Sequence, residues 1–201
     1  MIGVAYRSHE QFLERRACRP CSGMKRLWLL RHAKAGPYSA DDFERALAPR
    51  GRKNAPAMGE KLAAVGCAPE RILCSAGRRA VETMCGVLPS IPADLSIEVM
   101  RRLYTFSPGN VLQCLRELPE DTGDVMVVGH NPALQELALY LAGRGEEEAF
   151  AVLHGKFPTC AVAELEFPES PHTTDWDEGS AFLRRVLTPR PPRYLRTPLV
   201  D

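Results

Sequence analysis

The sequence predicts an α/β fold, a three-layer α/β/α sandwich around a mostly parallel central sheet. Three observations carry this. Short apolar runs of strand length, RLWLLR at 26–31, RILCS at 71–75 and DVMVVGH at 124–130, alternate with segments of helical spacing. The runs are continuous rather than alternating, as strands covered on both faces are. The chain has 201 residues, 45% hydrophobic and 25% charged, which suffices for one substantial core.

The elements follow in order. Residues 1–23 are polar and Arg-rich and read as a flexible N-terminal extension, with Met24-Lys25-Arg26 just before the first strand. NAPAMGEKLAAVG at 54–66 carries helical spacing through Met58, Leu62 and Val65 and stops at Gly66. After the strand at 71–75, RRAVETMCGVL at 78–88 is helical, SIEVM at 96–100 is a strand, and PGNVLQCLREL at 108–118 is a helix begun by Pro108. The strand at 124–130 precedes the helix PALQELALYLAG at 132–143, bounded by Pro132 and Gly143. TCAVAELEF at 159–167 and SAFLRRVLT at 180–188 read as a hairpin at the C-terminal edge, joined by the acidic turn PESPHTTDWDEG. One domain over 24–188 and a Pro-rich, extended tail over 189–201 complete the expected organisation.

Composition narrows the function. With 26 basic and 25 acidic side chains the net charge is +1, which argues against a general nucleic-acid binder. No apolar run approaches the roughly 20 residues that span a bilayer, and the N-terminus lacks a secretory h-region, so no membrane and a cytoplasmic location are expected. Of seven cysteines, Cys67, Cys74, Cys85, Cys114 and Cys160 stand singly in apolar contexts, as buried thiols do. Cys18 and Cys21 form a lone CxxC, which without a second ligand pair reads as incidental rather than as a zinc site.

The chemistry gathers at strand ends. His32 ends one strand and His130 another, while the strand ending at Ser75 opens into SAGRRAVET, with Arg78 and Arg79 at the start of a helix. Helix dipoles favour acids there, so they do not explain the arginines. In open α/β sheets ligands bind at the carboxyl ends of strands. A lone histidine there is usually a turn or cap, and a lone arginine a solvated charge; the joint occurrence at three strand ends is what signifies. Guanidinium forks hold phosphoryl oxygens bidentately, and imidazole serves as a nucleophile near neutral pH. Crowded arginines oppose a bound cation, so no metal and no cofactor are expected.

RHA at 31–33, CSAGRRAVET at 74–83 and VVGHNP at 127–132 together resemble the histidine phosphatase superfamily, or phosphoglycerate mutase-like fold. DDFERALAPRG at 41–51, LYTFSP at 103–108 and GKFPTCAVAELEF at 155–167 resemble its small phosphohistidine phosphatase branch, the SixA type. The resemblance spans about 24–188. It implies that His32 is the nucleophile, its Nδ1 proton held by a backbone carbonyl, and that it is transiently phosphorylated. It implies further that Arg31 and Arg79 bind phosphoryl oxygens, Arg79 heading the R-A-x-x-T spacing with Ala80 and Thr83. Arg78 is the runner-up, expected at the surface. A protonated His130 would donate to the phosphoryl group. Asn131 either bonds the substrate or caps the helix from Pro132, capping being favoured. Asp41, Asp42, Glu44 and Arg45 line the rim, and Arg50-Gly51 match an R-G turn that is expected to be structural.

This chain departs from larger members of the superfamily, which carry an acid between the second arginine and the second histidine to protonate the leaving oxygen. Here the region reads RRLYTFSP, and Glu82, Tyr104 and Asp42 remain the candidate donors. The absence favours a phosphohistidine substrate, whose imidazole leaves more easily than an alkoxide. The expected partner is therefore a phosphorylated protein or a small phosphate ester, with inorganic phosphate as product. The alternatives are a small-molecule phosphomonoesterase and, less favoured, a phosphoprotein-binding module with little turnover.

Overall fold

A computed structural model describes residues 25–38, 40–91, 94–119, 122–167 and 176–190. The expected extension over 1–23 with its CxxC, most of the 168–179 turn and the tail beyond 190 lie outside these residues. Strand β1 (Lys25–Arg31) is followed by α1 (Pro49–Ala64), β2 (Arg71–Ser75), α2 (Arg78–Val87), β3 (Ser96–Met100) and α3 (Pro108–Arg116). Then come β4 (Val125–Gly129), α4 (Ala133–Leu141), β5 (Ala142–Gly145), α5 (Glu147–Gly155), β6 (Val162–Phe167) and β7 (Ala181–Leu187). The strands form one sheet in the order β3-β2-β4-β1-β6-β7-β5. Pairings β1/β4, β2/β4, β2/β3 and β5/β7 are parallel, whereas β6 runs antiparallel to both β1 and β7.

Strand alternation divides the apolar side chains between two cores. From β1, Leu27 and Leu29 join the core under α3, α4 and α5, with Val111, Leu134 and Leu153. Trp28 and Leu30 turn the other way and meet Met58 and Leu62 of α1 and Met84 of α2. All four β1 side chains are fully buried. Each is worth about 1.5–3 kcal/mol by burial, so the continuous run LWLL demands helices on both faces. The expected three layers are present.

Four expectations change. Helix α1 starts at Pro49 rather than at 54, because Pro at the first helical position loses no hydrogen bond; Arg50 and Gly51 thus lie in its first turn, not in a separate turn. Gly51 is buried there, and a Cβ on it would collide with the Lys34 carbonyl. Helix α4 ends at Leu141, and Gly143 belongs to β5, which pairs with β7. The C-terminal hairpin is therefore interior, with β5 as the outer strand. Cys85 is exposed, unlike the other four described cysteines.

Candidate active site

Parallel β1, β4 and β2 are neighbours, so their carboxyl ends share one rim. Arg31 stands in register with Gly129, and Cys74 with Val128. The residues that follow, His32, His130 and Ser75, meet there. The His32 amide donates to Gly129 O at 2.9 Å, fixing one strand end against the other. β6 closes the far side. Cys160, in the left-handed region at φ 64°, gives its N–H to Arg31 O and His32 O, both at 3.1 Å. That turn is why β6 begins at Val162 rather than at 159.

His32 has its tautomer set by two partners. Nδ1–H donates to Ala33 O at 2.8 Å, and Nε2 accepts from Arg79 Nε at 3.2 Å. A carbonyl only accepts and a guanidinium only donates, so the ring is neutral with its lone pair on Nε2. Burial, helped by Arg79 and Arg31, pushes its pKa down to about 4. Thr83 steadies this corner, accepting from Ala33 N at 2.9 Å and donating to Arg79 O at 2.6 Å. Thr83 and Ala80 thus lie where the R-A-x-x-T spacing puts them, one turn along α2 and buried.

Arg79 is only 3% exposed. Its Nη1 donates to Asp42 O at 2.6 Å and Nη2 pairs with Asp42 Oδ2 at 3.0 Å. Arg31 donates from Nη1 to Phe157 O at 2.5 Å, while its Nε is buried without a partner among the described residues. Arg78 is exposed and bonds Glu82 at 2.8 Å, so Arg79 alone of the pair enters the site.

His130 packs its ring 5.1 Å from that of His32 and 5.0 Å from that of Tyr104. Its Nε2 lies 2.8 Å from Ser75 Oγ, and Nδ1 has no partner among the described residues. Gly77 is needed beside it: a Cβ there would lie 2.8 Å from the Tyr104 ring and 3.5 Å from His130 Cε1. Burial, with His32 and Arg79 adding to it, lowers the His130 pKa to about 3. The folded chain therefore favours a neutral His130 near pH 7, whereas the expected imidazolium is that of the phosphoryl-bound state.

The candidate proton donors separate. Glu82 accepts from Leu47 N at 2.8 Å and from Arg78, so it fastens the 41–47 loop to α2 instead of facing the pocket. Burial raises its pKa, but these two partners outweigh that and leave it lowered. Asp42 accepts from Tyr104 Oη at 2.5 Å and pairs with Arg45 at 3.2 Å. The Tyr104 hydrogen bond, with Arg79 and Arg45, holds its carboxyl below the usual range. Tyr104 is raised, by burial and by Asp42, and keeps its proton on that bond. Asn131 caps nothing; its Nδ2 donates to Gln135 Oε1 at 2.8 Å, and α4 has no side-chain cap.

An open pocket of about 320 Å³ gathers Arg31, His32, Asp42, Arg79, His130 and Asn131 in its lining, with Lys34 and Arg45 adding positive charge. Phe106, 61% exposed, stands at its wall. A neutral imidazole lone pair facing several cations and one carboxylate suits a nucleophile acting on an anion. Sequence reasoning missed Ser75 and Phe106. A buried serine at a strand end carries no pattern of its own, and an exposed phenylalanine in a loop carries none either.

No protein-family model matches the chain. An uncharacterized protein of Mycobacterium tuberculosis is 34% identical over 164 residues, which is 80% of this chain and 100% of that protein. An Agrobacterium tumefaciens structure assigned as the phosphohistidine phosphatase SixA is 28% identical at a TM-score of 0.65, covering 73% of this chain and 94% of that one. A structure of the protein histidine phosphatase SixA complexed with tungstate is 25% identical, also at a TM-score of 0.65, covering 82% and 97%.

Proposed function

Because the chain belongs to the histidine phosphatase superfamily and is a phosphatase, we propose that it is a metal-independent phosphohistidine phosphatase working through a phosphohistidine on His32. The observation that carries this reading is the His32 ring, held with Nδ1–H on Ala33 O and its lone pair on Nε2 beside Arg79. Nε2 attacks phosphorus and forms the new N–P bond. The old bond breaks with its electron pair going to the leaving group, and water then attacks phosphorus to release inorganic phosphate and free His32.

Arg79 must exchange its bond to Nε2 for one to a phosphoryl oxygen as substrate enters, and Arg31 supplies the second guanidinium. Together with His130 they oppose charge on the equatorial oxygens. These guanidiniums do the work of a cation at the phosphoryl group. The neighbours of the pocket favour one kind of leaving group. Asp42 and Glu82 both have lowered pKa values and engaged oxygens, so at neutral pH neither offers an acid proton. An alkoxide leaves poorly without one, whereas an imidazole protonated on its other nitrogen leaves neutral. This supports a phosphorylated histidine, presented by a protein to an open pocket, as the substrate of the proposed reaction.

The test is a panel of phosphohistidine protein, p-nitrophenyl phosphate and sugar phosphates, with EDTA present. Phosphohistidine is expected to turn over fastest and unaffected by EDTA, His32→Ala to lose turnover on every substrate while staying folded, and Glu82→Gln to keep it. Turnover by His32→Ala overturns the nucleophile. Faster hydrolysis of monoesters assigns the chain to the phosphomonoesterase alternative.

A further inference from the structure

Ser75 takes no part in the chemistry described so far, yet it is fully buried and touches His130. Its oxygen has two neighbours. The Gly77 amide donates to Oγ at 3.3 Å, which uses one lone pair, and His130 Nε2 lies at 2.8 Å. No carbonyl or carboxylate accepts from Oγ among the described residues, so Nε2 is the one acceptor open to the serine proton. The opposite polarity, Nε2–H donating to Oγ, would leave both the serine proton and the buried Nδ1 lone pair without a partner among the described residues, whereas serine donation leaves only Nδ1–H. Counting donors and acceptors thus puts the imidazole proton on Nδ1, the nitrogen that lacks a protein partner.

We infer that Ser75 is a positioning residue: its hydroxyl holds His130 in the Nδ1–H tautomer, so that His130 meets the phosphoryl group as a neutral hydrogen-bond donor. This rests on the phosphatase reading for what Nδ1–H is donated to, and on the hydrogen-bond count alone for where the proton sits. The surroundings agree. Around His130 stand His32 and Arg31 from the end of β1, Arg79 from α2, Tyr104 after β3 and Asp42 from the 41–47 loop. Two guanidiniums make a positive His130 unfavourable, and Asp42 is already committed to Arg79, Arg45 and Tyr104. A neutral donor adds no further charge to this cluster before substrate arrives, and Ser75 supplies it with the correct face.

The experiment begins with nitrogen-detected NMR of His130 in the ligand-free wild-type protein at pH 7. The expected spectrum is that of a neutral ring protonated on Nδ1, while Nε2–H or a cationic ring overturns the inference. Ser75→Ala is expected to mix the tautomers and lower kcat roughly 10–100-fold, by analogy with the loss when the outer hydrogen-bond partner of a metal-ligating histidine is removed. KM should change little. Ser75→Thr, which restores the hydroxyl, is expected to recover the Nδ1–H signal and most of kcat. Unchanged tautomer and kcat in Ser75→Ala overturn the inference. The wild-type spectrum is read without turnover. A protein with Nδ1–H but no phosphatase activity therefore sinks the functional reading alone, and an active protein with Nε2–H sinks this one alone.

Discussion

At the scale of single residues the site is built from neutral imidazoles among fixed guanidiniums, and this gives it a signature in acid. His32 and His130 have folded pKa values of about 4 and about 3, below the ordinary histidine value of about 6.5, because both are buried beside positive charge. The unfolded chain therefore takes up protons first as pH falls. The stability linked to these groups is complete above about pH 6.5 and is lost as pH falls from there toward 4 and then 3, at about 1.4 kcal/mol per pH unit for each ring. The two rings titrate as a pair. Urea unfolding at pH 7 and pH 4.5 is expected to show a larger loss for the wild type than for a His32→Asn, His130→Asn double variant; equal losses would count against both assignments. The same protonation is expected to remove activity below about pH 4, since His32, the proposed nucleophile, loses its lone pair. These residues were legible because histidines and arginines recur at three strand ends in one order. Ser75 was not, since what distinguishes it is a distance to His130, 55 positions away. Asn131 misled for a related reason: a polar residue before Pro132 looks like a cap until Gln135 is seen to take its amide.

At the scale of elements, helices α1 and α2 act on the site by how closely they approach it. Gly51 in the first turn of α1 lies against the Lys34 carbonyl, two residues beyond His32. Gly51→Ala forces that contact apart and is expected to cost about 1–3 kcal/mol, as overpacking does, and to lower kcat/KM by displacing the chain after His32. Gly155→Ala, where a new Cβ meets nothing within 4 Å, is the control and should change neither Tm nor kcat/KM appreciably. Most elements were legible because their apolar spacing is unambiguous, DVMVVG being a run with no alternative. Two were not. β5 is AGRG, a segment of low strand propensity held in place by pairing with β7, and α5 opens on two glutamates behind a third at its N-cap and buries only Ala149, Val152 and Leu153. Tertiary pairing makes the first and a narrow apolar stripe the second, and neither stands out in a window of sequence.

At the scale of the whole molecule, an anion in the cradle should steady the entire fold. Inorganic phosphate at about 100 times its dissociation constant is expected to raise unfolding free energy by about 2.7 kcal/mol, read as an increase in Tm. Arg79→Ala should abolish that shift, and a shift that survives in this variant would move the anion site elsewhere. The sheet order adds a consequence in time. β1 is made first, but Arg31 and His32 give their carbonyls to Cys160, the Arg31 amide bonds Ala161, and its guanidinium bonds Phe157, 126 positions on. At synthesis rates of about 5–20 residues per second, His32 leaves the ribosome roughly 6–25 s before the residues that brace it. A half-made chain therefore carries His32 without these braces, and the cradle is complete only when the last strands close on the first.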